Sequence, residues 1–202
     1  MKVTFKLALC ALLLGSGAII TSCSKDDDEP APAPVSDNSI YARLGGTTKI
    51  TDPRNAGVMI EKGRLSYRSV VDSTIVLIVS DIRTGANGNL ATHFAPVLVE
   101  TGSTQTTSIA RLSKNLTDFF SANTGGGTTN TYTGLDMVAA HNPGTGAGKN
   151  PRMGAKSTNA NYDKFVGYVG AAAVKNGVAA NTQLYADVVT VLQSLRGQIV
   201  QP

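Results

Sequence analysis

The sequence predicts an all-α domain with unusually long loop insertions, preceded by a secretion signal and a disordered tether. Three observations carry this. After Ser39 the apolar residues recur at helical spacing in several blocks, the stretches between them are rich in Gly, Asn, Thr and Pro, and the first 38 residues hold a separate apolar run followed by a charged, proline-rich segment. The predicted boundaries are 1–22 for a signal peptide, 23–38 for a tether and 39–202 for one domain. With 42% hydrophobic residues and about 160 residues after the tether, such a domain buries roughly two-thirds of its unfolded surface.

Lys2 and Lys6 precede an apolar run from Leu7 to Ile20, and the small residues Thr21 and Ser22 lead to Cys23. That is signal-peptide order, and the run is shorter than the ~20 apolar residues a spanning helix needs. Ile20-Thr21-Ser22-Cys23 resembles the lipobox of bacterial lipoproteins, which implies acylation of Cys23 and anchoring to the outer membrane. Cys10 is a poor rival because bulky Leu9 precedes it. With Cys10 removed and Cys23 lipidated, the mature domain has no disulfide and depends on its core. Residues 24–38 combine Asp26, Asp27, Asp28 and Glu29 with alternating prolines, giving a tether of ~45 Å at most. The acidic run resembles a signal for display on the cell surface, and it reads equally as a solvated spacer. The formal charge of +4 falls to +2 once Lys2 and Lys6 leave, and the basic residues are scattered, so nucleic acid is not an expected partner.

Within the domain, Ile109, Leu112, Leu116, Phe119 and Phe120 fall on one helical face, with Gly125-Gly126-Gly127 as the stop. Leu184, Val188, Val191, Leu192, Leu195 and Ile199 repeat the pattern, and Tyr162, Phe165, Val166 and Val169 mark a helix capped near Gly177. Residues 70–79 are rich in β-branched side chains and by propensity alone suggest a strand. Val71, Ile75, Ile78, Val79 and Ile82 also make a helical face, and a lone strand lacks a partner, so the segment is predicted helical. Residues 48–62, 83–106 and 142–158 read as loops.

Several blocks together resemble the group I truncated haemoglobins. Ser39-Ile40-Tyr41-Ala42-Arg43-Leu44-Gly45-Gly46 is similar to that family's opening helix and double-glycine turn, and Val70 to Asp81 to its second helix. Arg111 to Phe120 with Gly125-Gly126 resembles the distal helix, Tyr132 to His141 the tyrosine-to-histidine segment, and Tyr162 to Val200 the last two helices. The blocks run in the family's order and the extra segments fall in loops, where insertions cost little. The resemblance implies a truncated globin-like helical sandwich that binds haem b.

By this resemblance His141 is the proximal ligand of the haem iron, Met137 presses on the porphyrin one turn earlier, and Tyr132 reaches a propionate or packs in its loop. Phe94, Phe120 and Tyr162 are expected around the haem. On the distal side many members carry a tyrosine and a glutamine; this chain has Ile75 and Leu116, with Leu112 also apolar. Each missing hydrogen-bond donor to bound dioxygen costs ~1–3 kcal/mol, which favours carbon monoxide, nitric oxide or no gas. His93 stands where the family usually has a phenylalanine, so it is either a sixth iron ligand or a partly exposed loop histidine. Tyr67 offers another route into the pocket, although it does not match the family's tyrosine.

Three functions remain open at this point: a haem protein binding a diatomic gas or sensing redox state, a haem-capture lipoprotein serving a surface uptake partner, and a haem-free interaction module. An enzyme is not favoured, because the distal positions supply no acid–base group apart from His93. The glycines at 125–127 and 144–148 lack the strand and lysine context of a nucleotide loop.

Overall fold

The computed structural model describes residues 37–101 and 108–202, so the expected signal peptide, Cys23 and nearly all of the expected tether lie outside the described residues. The described chain is predominantly helical. Its helices are α1 (Ile40–Arg43), α2 (Lys62–Thr84), α3 (Ala91–Leu98), α4 (Ser108–Ser121), α5 (Met137–Ala140), α6 (Asn159–Lys175) and α7 (Gln183–Ile199). None of them is long and apolar enough to cross a membrane.

The β-branched run lies wholly inside α2. Tyr67, Val71, Thr74, Ile75 and Ile78 form its buried stripe, a spacing only a helix places on one side. The helix stops at Gly85, whose left-handed φ of 65° lets its N–H and that of Ala86 turn back onto Ile82 and Asp81. α2 packs against both α4 and α6, and α6 against α7, around a core that includes Tyr41, Val71, Val169 and Leu192. α6 starts with a reciprocal capping box between Thr158 and Asn161 and ends at Lys175, with Gly177 just past the cap at φ 89°.

Two segments expected to be loops are structured. Within 48–62, β1 (Lys49–Thr51) pairs antiparallel with β2 (Met59–Glu61), Ile50 opposite Ile60. A three-residue strand shows too little alternation to be read from sequence, and Arg68 holds the connecting turn by two bonds to Asp52, at 2.9 and 2.6 Å. Within 83–106, α3 forms although Pro96 lies inside it. Proline has no N–H to give the carbonyl of Thr92 four residues back, which is why the sequence argues against a helix here.

The glycine run after α4 has a second role besides ending the helix. α4 runs into a π-turn, Ala122–Gly126, broken by Gly125 at φ 118°. A β-carbon on Gly126 would sit 2.5 Å from the carbonyl oxygen of Ser121 and 2.9 Å from the ring of Tyr41, so the chain passes there only as glycine. Tyr41, 1% exposed, donates its hydroxyl proton to the buried carboxylate of Glu61. Asn130 and Thr129 donate to the same carboxylate at 3.0 and 2.8 Å, and Lys49 to its other oxygen at 3.1 Å.

Burial alone would raise the Glu61 pKa, but these hydrogen bonds outweigh it and hold the group down at about 2. Because the folded value lies below the unfolded one near 4.3, the stabilisation is complete above about pH 5 and is lost as pH falls towards 2. Urea midpoints measured from pH 7 to pH 2.5 should therefore fall steeply at the acid end, and Glu61→Gln should flatten that fall. An unchanged acid slope in the variant would mean that Glu61 is not the titrating group.

Candidate functional site

The chain has two histidines, and the structure brings both to one cavity. His141 follows α5, which starts at Asp136, whose carboxylate accepts from the Ala139 N–H at 2.8 Å. His93 lies on α3 and is 6% exposed. It is therefore a buried helical residue and not a partly exposed loop histidine.

The cavity encloses about 170 Å³ between α3, α4, α5, α6 and α7. Most of its wall is apolar, with Leu112, Leu116, Phe119 and Phe120 from α4 forming one side. These residues account for an odd feature of α4: its buried positions include Ser113, Thr117, Asp118 and Ser121, whereas Leu112, Leu116 and Phe119 remain half-buried. The apolar side chains border the cavity, and the polar ones pack into the protein. Asp118 is matched there by Arg64 and Lys114.

The ring nitrogens are organised alike in the two histidines. His141 Nδ1 lies 2.9 Å from the carbonyl oxygen of Met137, and His93 Nδ1 lies 3.0 Å from that of Ala155. A carbonyl only accepts, so each Nδ1 carries a proton, and in the neutral form of such an imidazole it is Nε2 that keeps the lone pair. Neither Nε2 has a hydrogen-bond partner among the described residues. Burial lowers the His141 pKa; the bond to Met137 opposes this, and the neighbouring His93 adds to it. His141 is accordingly a neutral imidazole at pH 7, the form that binds a metal.

Most of the residues expected around a haem line this cavity: His141, Met137, Tyr132, Phe94, Leu112, Leu116, Phe120, Tyr162 and His93. Ile75 does not. It is 6% exposed in the core between α2, α3 and α4, on the far side of Phe94 and Leu112 from the histidines. Tyr132 lines the cavity, but its hydroxyl donates to the carbonyl of Leu135 at 2.6 Å while its ring meets Phe119 edge-on. Tyr67 is kept out of the cavity, stacked on Phe120 and hydrogen-bonded to Thr124 in the core.

Sequence reasoning missed Arg152. It comes from the 142–158 segment, lines the cavity, and pairs with Glu100, which lies below the ordinary carboxylate pKa because of that arginine. It also donates to the Ser108 carbonyl at 2.8 Å. Its partners are 44 and 52 residues away, so no local pattern announces them.

Two imidazoles are too few donors for a bare structural zinc ion, which takes four. Among the described residues no group of three or more His, Cys, Asp or Glu gathers to hold a metal. A porphyrin brings its own four nitrogens and asks the protein only for axial ligands and an apolar slot. The donor set and the wall therefore fit a haem better than a free ion. No family model matches the chain, and no curated protein matches it.

Proposed function

We propose that this chain is a lipid-anchored haem-binding protein of truncated haemoglobin-like type, with haem b held in the cavity between α3, α4, α5, α6 and α7 and His141 as its axial ligand. The carrying observation is the geometry of His141: Nδ1 is held by the Met137 carbonyl, and Nε2 is without a partner among the described residues at an apolar cavity. Haem iron supplies the ability to bind a diatomic gas or to exchange one electron. The chain's own residues would orient the imidazole and exclude water through Leu112, Leu116, Phe119 and Phe120, and Arg152, paired with Glu100, puts a cation on the cavity wall.

Cys23, by the lipobox it ends, would tether the domain to the outer membrane. Leu112 and Leu116 offer no hydrogen-bond donor to a bound dioxygen, and Asn115 of the same helix is the amide on that stretch of the wall. Titrating the protein with haemin tests the reading. A Soret band that saturates at one haem per chain is the expected result. A shift that never saturates would leave a haem-free interaction module as the better account.

A further inference from the structure

We propose that the segment 150–157 is a latch that presents His93 to the haem iron as a second axial ligand, which closes the position a gas would need. This deepens the haem-binding reading and rests on it. The geometry is specific to the two histidines. They are the chain's only ones, they stand on different elements, and both line the one cavity with Nδ1 committed to a backbone carbonyl and Nε2 unpartnered among the described residues. An imidazole with a fixed tautomer and a free Nε2 is the ligand form, and the cavity holds two of them.

The latch is built on α3 itself. Gly154 donates its N–H to the carbonyl of His93 at 2.9 Å, and the next residue, Ala155, offers the carbonyl that holds His93 Nδ1. Gly154 lies flush against the carbonyl of Thr92: a β-carbon there would come within 1.9 Å of that oxygen and 3.2 Å of Pro96 Cδ. Pro96 explains why this surface exists. Lacking an N–H, it leaves the Thr92 carbonyl without its helical donor, and the strand of chain carrying Gly154 packs onto the break. At the near end of the segment Arg152 is tied to Glu100 and to the Ser108 carbonyl. At its far end Ser157 pairs with Val200. Segment 150–157 thus grips the backbone and ring of His93 together, and Gly154 is a positioning residue for it.

A haem with both positions taken exchanges electrons or is carried as cargo, and it admits a gas only when one histidine leaves. That departure lowers apparent gas affinity by the fraction of time the position is open.

The test uses the full chain in detergent, reconstituted with haemin, and reads ferric spin state by absorption and electron paramagnetic resonance, then carbon monoxide binding to the ferrous form. The native protein should be low-spin. H93A should keep its haem, turn high-spin and bind carbon monoxide about tenfold faster or more. G154A should show a mixed spin state and intermediate carbon monoxide binding, whereas G167A, where a new methyl meets nothing within 4 Å, should match the native protein. If G154A fails to fold, R152M loosens the same segment without touching α3.

A high-spin native protein, or a low-spin spectrum that survives H93A, would overturn the ligand assignment while leaving His141-dependent haem binding intact. Native spectra in both G154A and R152M would overturn the latch. Loss of any saturable Soret band in the native chain would instead sink the haem reading on which this one stands.

Discussion

Replacing His141 with glycine is expected to weaken haemin binding by at least about 100-fold, close to 3 kcal/mol, and free imidazole should recover much of the loss. The argument turns on what the substitution removes. His141 contributes one lone pair, and its ring is aimed by the Met137 carbonyl one turn earlier on the same short helix. Glycine deletes the donor and leaves a hole of the imidazole's size, which added imidazole can occupy. A residue that merely packs against haem would be rescued by no particular base. Native-like binding in His141→Gly, or weakened binding that imidazole does not restore, would contradict ligation by this residue. Titration by absorption with and without imidazole separates these results.

The second large effect concerns stability. Tyr41→Ala should cost about 5 kcal/mol, a large share of the 5–15 kcal/mol typical of a domain. The ring is almost wholly buried, stacks on Tyr67, and fills the space that Gly63 and Gly126 leave open by having no side chains. Its hydroxyl donates to Glu61, and burial together with that carboxylate raises the tyrosine pKa to about 12. Removal of the side chain therefore opens a cavity and takes a donor from a buried charge. Tyr41→Phe removes the hydroxyl alone and should cost about 2 kcal/mol. Urea denaturation of the pair divides packing from hydrogen bonding. Equal losses in the two variants would show that the ring fills nothing important.

The difference between α2 and α3 shows which signals survive in a sequence. For residues 70–82 two local readings competed, and periodicity prevailed over β-propensity because the run is long enough for its buried face to repeat. α3 offers eight residues with a proline among them, and what supports it comes from residues 150–157, distant in sequence. The hairpin at 49–61 was illegible for a similar reason, since its strands have three residues each and depend on Asp52–Arg68 across to α2. The site divides the same way. Leu112, Leu116 and Phe120 share a helical face and were expected around the haem, whereas Ile75 was expected beside them by analogy and is turned into the core instead.

By itself the sequence determined the helical class and the central stretches of the long amphipathic helices, although α2 begins at Lys62, eight residues before the 70–79 run that announces it; the leader and the role of His141 are expectations it raised, from a short motif and from a family resemblance. The helices follow from interactions between residues a few positions apart: a repeating apolar face and a cap. Tertiary structure alone decided that His93 is buried, that it shares a cavity with His141, and that the 142–158 segment supplies Gly154 and Ala155 to hold it, with Arg152 tying that segment to Glu100. Those outcomes depend on contacts across roughly 50 to 60 residues of chain, whose partners are chosen by close packing and by the need of buried polar groups for hydrogen bonds, neither of which leaves a period in the sequence.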